Sequence, residues 1–259
     1  MTEAEWLACD DPGLMLDDLR GKASNRKFRL VACACARRVW GSLDDQRCRK
    51  GVEGLEGFAD GRGGRDDYDR AAVEIRSPVD CIFYPHTDHT ANTPKYRYFV
   101  GAGTVVAPHS SVGLYWTESL LDEYVPAGRW GVITEVLVAQ GYPDVHRGDP
   151  LFRFIPTAAV ADLDEEWRAH LVLVRDIFGN PCRPVAFDPV WRTAAAALAE
   201  AAYEERSLPE GALDPARLAV LGDALEEAGC DNADLLAHLR GPGPHVRGCW
   251  SVDLVLAKE

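Results

Sequence analysis

The chain has 259 residues, 47% of them hydrophobic, enough to bury a real core in one large domain or a few small ones. Its formal net charge of -13 excludes a general nucleic-acid binder, because phosphate contacts need clustered Lys and Arg and no such stripe stands out. No apolar run approaches the ~20 residues that cross a bilayer, and Met1-Thr2-Glu3-Ala4-Glu5-Trp6 opens acidic and polar, so a soluble, cytoplasmic protein without a membrane partner is expected.

Residues 1–70 carry helical signals. Thr2 followed by Glu5 reads as a capping box, and Ser24 precedes a run in which Phe28, Val31, Cys35 and Val39 share one face. Gly61-Arg62-Gly63-Gly64-Arg65-Asp66-Asp67 then reads as a break, with the glycine content and mixed charge of a loop or linker.

Across 74–156 the period changes. Cys81-Ile82-Phe83-Tyr84, Tyr96-Arg97-Tyr98-Phe99-Val100, Val112-Gly113-Leu114-Tyr115-Trp116 and Gly131-Val132-Ile133-Thr134-Glu135-Val136-Leu137-Val138 are rich in β-branched and aromatic residues and predict strands. The segment also repeats itself without a gap. Phe99-Val100-Gly101-Ala102-Gly103 aligns with Leu137-Val138-Ala139-Gln140-Gly141, and Leu114-Tyr115-Trp116 with Phe152-Arg153-Phe154.

These residues resemble the biotinyl/lipoyl carrier domain, in particular the biotin carboxyl carrier protein family of acetyl-CoA carboxylase. The resemblance is carried by Glu74-Ile75-Arg76-Ser77-Pro78-Val79-Asp80-Cys81-Ile82-Phe83-Tyr84, by the glycine turn at Gly101 to Gly103, and by Gly131 through Phe152. It implies an all-β barrel-sandwich of two quasi-symmetric sheets, which accounts for the repeat. In that family a lysine at a hairpin tip carries the cofactor. The matching tip here is Thr117-Glu118-Ser119-Leu120-Leu121-Asp122-Glu123, and no lysine occurs from Tyr96 to Ala257. Amide attachment needs an ε-amine, so no covalent biotin or lipoate, and no other cofactor, is expected.

Helical signals return over 162–259. Asp164 is placed to cap a helix from Glu165 to Phe178; Asp188-Pro189 and Asp214-Pro215 each start a helix, the first to Glu205 and the second ending at Gly229. Asp231 is expected to cap a shorter helix to Arg240, and Val246 to Ala257 to close the chain as a helix. The fold class expected is α+β, with helical N- and C-terminal parts flanking the β domain. Short amphipathic helices alone bury too little to be stable, which favours the two helical parts packing together. Arg20-Gly21-Lys22-Ala23-Ser24, Arg175-Asp176-Ile177-Phe178-Gly179-Asn180-Pro181 and Gly241 through Trp250 resemble an uncharacterised bacterial protein family, which implies a frame around a variable middle and no activity.

Several clusters invite chemistry. His86, Asp88, His89 and His109, with His146 nearby, offer imidazole and carboxylate ligands suited to zinc, but their spacing is loose and a solvated loop explains them as well. Cys33 and Cys35 lie two apart, on different faces of a helix, and read as buried small residues; Cys182, Cys230 and Cys249 form no CxxC pair. Gly241-Pro242-Gly243-Pro244 is a poor phosphate cradle, since proline has no N–H to give, and reads as a stiff turn. Beside it, His245, Arg247, Cys249 and Trp250 make a candidate site where the helical parts meet, against the alternative that Trp250 is core and Arg247 pairs with an acid. No Gly-x-Ser-x-Gly elbow, Walker loop or HExxH is present.

The function expected from sequence is therefore non-enzymatic: a scaffold or interaction protein whose degenerate carrier-like domain binds another protein. The hairpin tip, Trp116, Glu118, Ser119, Leu120, Leu121, Asp122, Glu123 and Tyr124, is the expected contact surface, because an exposed tip would present two leucines among acids. Two alternatives stand beside it: an accessory subunit of a biotin-dependent carboxylase complex, and a metal-dependent hydrolase using His86, Asp88, His89 and His109. Affinity capture from native extract with the wild-type chain and with Leu120→Asp plus Leu121→Asp tests the tip. Loss of partners in the double variant is expected, and equal capture by both would remove this surface.

Overall fold

The computed structural model describes residues 1–38, 40–42, 46–64 and 163–258. These residues form nine α-helices and one short 3-10 turn. The helices are α1 (Glu3–Ala8), α2 (Pro12–Leu19), α3 (Asn25–Arg38), α4 (Gln46–Ala59), α5 (Leu163–Phe178), α6 (Pro189–Glu204), α7 (Pro215–Glu227), α8 (Ala233–Leu239) and α9 (Trp250–Leu256); the turn is Trp40–Ser42.

The α+β class is corrected by this architecture: among the described residues there is no strand or sheet, and extended pairing is limited to isolated bridges of Ala212 with Ser207 and with Val246. The physical reason is visible in the cores, where helices cover one another's apolar faces and no sheet is needed to bury them. The alternation that suggested an all-β biotinyl/lipoyl-like domain over 74–156 falls on residues outside the described set. Among the described residues no helix is long and apolar enough to cross a membrane.

Most helix starts follow local chemistry. The Thr2 and Glu5 capping box is formed in full at α1. Asp188 and Asp214 accept from Val190 and Ala216 N–H, each with proline in the first turn, so two of the orphan donors at a helix start are answered in the expected way. Three boundaries differ from expectation. Helix α5 begins at Leu163, which puts Asp164 inside it. Asn232, not Asp231, caps α8 by accepting from Leu235 N–H. The last helix starts only at Trp250, because Gly248 takes a left-handed φ of 91° that interrupts the helical path before Cys249.

One core joins both ends of the chain. Trp6, Met15, Leu16, Leu19, Phe28 and Val31 from α1 to α3 pack with Leu173, Val174 and Ile177 of α5 and with Val246. A second core gathers α6 to α9 around Tyr203, Leu218, Leu221, Leu235, Leu239 and Val252. Cys33 is buried in a third, small cluster with Val52 and Leu55, while Cys35 is half-buried against the first core.

Buried ion pairs stitch the ends together. Arg37 donates to Glu56 at 2.5 and 2.8 Å, and Arg206 grips the same carboxylate at 2.9 and 2.5 Å. Arg26 Nη1 donates to Asp253 at 2.6 Å, and its Nη2 donates to Asp60 at 2.8 Å and to the Tyr203 hydroxyl at 2.7 Å. Burial alone would push both Glu56 and Asp60 up, but Arg37 and Arg206 hold the first, and Arg26 and Tyr203 the second, below the usual carboxylate range. Breaking such a pair is costly because the surviving partner is left buried and uncompensated.

A carboxylate lowered in the fold takes up its proton more readily in the unfolded chain. Its stabilisation is therefore complete above the ordinary carboxylate range and disappears as pH falls through the folded values. Urea unfolding between about pH 7 and pH 2 should show stability holding to about pH 4 to 5 and then falling. Glu56→Gln should lose ~3–5 kcal/mol at neutral pH, with a shallower acid slope. A Glu56→Gln chain as stable as the parent, with an unchanged slope, would contradict the role given to this pair.

Candidate metal centre

Asp176 lies in the last turn of α5, where its neighbours Leu173, Val174 and Ile177 face the first core. It is buried, and a buried carboxylate must find donors. Its Oδ2 accepts from Val246 N–H at 2.9 Å; its Oδ1 lies 3.1 Å from His238 Nε2 and 2.9 Å from His245 Nδ1.

Helix α8 and the loop after it bring the two imidazoles there. Leu235, Leu236 and Leu239 bury one face of α8, and His238 in its last turn turns toward Asp176 while staying partly exposed. The Gly241-Pro242-Gly243-Pro244 stretch then reverses the chain. Gly243 has φ 79°, and a Cβ on it would stand 2.8 Å from His245 N, so the turn that delivers His245 needs glycine at this position. Leu213 N–H donates to the His245 carbonyl at 2.8 Å and fixes the loop from the other side. Cys249, fully buried at the N-cap of α9, places its Sγ 3.2 Å from His238 Nε2 and 3.9 Å from His245 Nδ1.

The donor atoms of Asp176, His238, His245 and Cys249 all fall within 4.8 Å of one another. Zinc with N and O donors at ~2.0–2.1 Å and S at ~2.3 Å has tetrahedral edges of roughly 3.3–3.7 Å. The separations of 2.9, 3.1, 3.2 and 3.9 Å lie around that range, while the set as a whole spans up to 4.8 Å, so the donors would have to draw together to share one centre. Charge fits as well: one carboxylate and one thiolate with two neutral imidazoles balance a divalent cation.

Hydrogen bonding around the cluster also suits a metal. His245 Nε2 lies 3.3 Å from the Gly241 carbonyl, which can only accept, so the proton sits on Nε2. Nδ1 then faces Asp176 either as the second N–H of an imidazolium or with its lone pair free for a metal. An outward ring N–H bound to a carbonyl is the usual orientation of a ligating histidine.

Burial would raise the Asp176 carboxyl, but His238 and His245 hold it below the ordinary range. Burial would lower His245, yet the Asp176 bond and charge raise it. The Cys249 thiol is pushed well up, first by burial and then by the Asp176 charge. Without a cation beside it this thiol stays protonated, which is unsuited to a nucleophile. A Cys-His-Asp relay is also ruled out by geometry, since Cys249 and Asp176 both address the same His238 nitrogen and a relay needs one on each.

Of the four residues expected beside the Gly-Pro loop, the structure brings His245 and Cys249 together. Trp250 flanks them, with its ring centroid 5.1 Å from that of His238. Arg247 points away to Asp60 at 3.0 Å and Glu204 at 3.4 Å, the acid pairing weighed as its alternative. Cys182 is exposed and Cys230 lies in the second core, both apart from the cluster. His86, Asp88, His89, His109 and the tip residues Trp116, Glu118, Ser119, Leu120, Leu121, Asp122, Glu123 and Tyr124 lie outside the described residues.

Asp176 and His238 are members of the cluster that the sequence alone does not single out. The available signals were a carboxylate interrupting the apolar run of α5 and a His238, His245, Cys249 series crowded around glycine and proline. Comparison with family models, curated proteins and solved structures finds no match to this chain, which leaves the geometry of the cluster to carry its function.

Proposed function

We propose that this protein is a metal-binding, non-enzymatic helical scaffold in which Asp176, His238, His245 and Cys249 hold one divalent ion of the zinc class. The observation that carries it is the convergence of one carboxylate, two imidazole and one thiol donor within 4.8 Å, on side chains that are mostly buried. Imidazole and thiolate favour a borderline ion over Mg2+ or Ca2+, whose shells are built from oxygen. Four protein donors fill a tetrahedral shell, as in structural zinc; catalytic zinc keeps a position for water or substrate. The ion ties the end of α5 to the C-terminal segment, so its binding energy is folding energy, and affinity rises with pH because Cys249 must release its proton. For such a rigid frame the wider role we propose is contact with another protein.

A second possibility is favoured by two distances. Separations of 2.9 and 3.1 Å from one carboxylate oxygen to two ring nitrogens are hydrogen-bond lengths, which suits a metal-free imidazolium–carboxylate cluster equally well. Elemental analysis of the purified full-length chain separates the two. We expect about one zinc per chain in the wild type and loss of it in Cys249→Ala, whose affinity should fall by more than about a hundredfold. Equal zinc content in both chains would place the ion elsewhere, and a wild-type chain that takes up no added zinc would leave the metal-free cluster.

The loop that delivers His245 gives a separate check. Gly243→Ala forces a side chain into a left-handed position against His245 N. It should cost ~1–3 kcal/mol in urea unfolding and weaken zinc binding together. Unchanged stability and affinity would show that this turn does not set the site.

A further inference from the structure

We infer that Lys27 is a positioning residue for the proposed metal centre, and that it couples docking of the N-terminal helix α3 to metal occupancy. The inference rests on that centre, but its observations come from the other end of the chain. All four donors belong to residues 176–249. The backbone on two sides of the centre is nevertheless held from α3.

Lys27 Nζ donates to the Ile177 carbonyl at 3.0 Å and to the Gly248 carbonyl at 2.8 Å. Ile177 follows Asp176 directly, and Gly248 directly precedes Cys249. The remaining N–H faces Asp253 Oδ2 at 2.5 Å, so the three donors of the ammonium are all engaged and its position is set. Two residues that follow Lys27 in α3 reinforce the grip. The Phe28 ring packs 5.2 Å from Phe178, and Leu30 closes on Gly248, where a Cβ would stand 2.7 Å from Leu30 Cδ1.

Helix α3 therefore holds the segment bearing Asp176 and the segment bearing Cys249 with one cation between them. The Asp176–Cys249 separation that a metal requires is set by this bridge. Outer groups that orient ligands typically contribute roughly 10–100-fold to metal affinity. Coupling of this kind is reciprocal: an ion that draws the two segments together strengthens the Lys27 bridge and the seating of α3.

Zinc affinity of the full-length chain, measured by chelator competition, tests this. Co2+ spectra of the wild type, Lys27→Met, Lys27→Arg and Arg37→Met accompany it. Lys27→Met should weaken zinc binding roughly 10–100-fold and shift the Co2+ bands, while Lys27→Arg, which keeps a cationic donor, stays close to wild type. Arg37→Met breaks the remote pair with Glu56 and should leave affinity and spectrum unchanged, which separates positioning from general destabilisation. Hydrogen exchange of the wild-type chain needs no variant: zinc should protect the α3 amides. Wild-type affinity and spectrum in Lys27→Met, an equal loss in Arg37→Met, or α3 exchange indifferent to zinc would each overturn the inference. Failure of the wild type to bind zinc at all would instead remove the centre itself.

Discussion

Asp176 sits where an ionised carboxylate is expensive: buried in the last turn of an amphipathic helix, with the first core beside it. Desolvation of such a group must be answered by well-placed donors or by a cation. Three groups on two stretches supply the answer: His238 on α8, and His245 with the Val246 backbone N–H directly after the Gly-Pro turn. Meeting that demand fixes where α8 ends, how the chain reverses after it, and where the last helix begins. Cys249 arrives at the same point as a consequence, its thiol pushed up by burial and by the Asp176 charge.

The second constraint is the pairing of charges between the two ends of the chain. Arg26 binds Asp60, Asp253 and Tyr203 together, so one guanidinium connects α3, the end of α4, α6 and α9. Arg247, two residues after His245, adds to the same site through Asp60 and lies 5.0 Å over the Tyr203 ring. Networks of this kind are strong because each charge has several partners, and they specify one arrangement because a misplaced helix leaves a charge bare. The Asp176 cluster and the ion network touch through Lys27 and Asp253, so the geometry of the cluster belongs to the whole helical frame and not to its C-terminal segment alone.

Local signals were the legible ones. Thr2 with Glu5, Asp188 with Pro189 and Asp214 with Pro215 state their helix starts in a few adjacent residues, and the structure follows them. At Asp231-Asn232 two good caps stand side by side and packing chose the second. The candidate site was half legible. His245 and Cys249 stand out beside a proline-rich turn, whereas Asp176 and His238 join them only through the packing of α5 and of α8 against α9, which no periodicity encodes. The α+β class is corrected on the described residues, whose helices close their cores without a sheet, while the strand signals behind that class belong to 74–156, outside those residues.

Zinc K-edge absorption on the purified full-length chain tests the central claim most directly. The centre predicts four-fold coordination, with one sulfur at ~2.3 Å and three nitrogen or oxygen donors at ~2.0–2.1 Å. A shell of six light atoms without sulfur, or no ordered zinc in protein supplied with the metal, would contradict it.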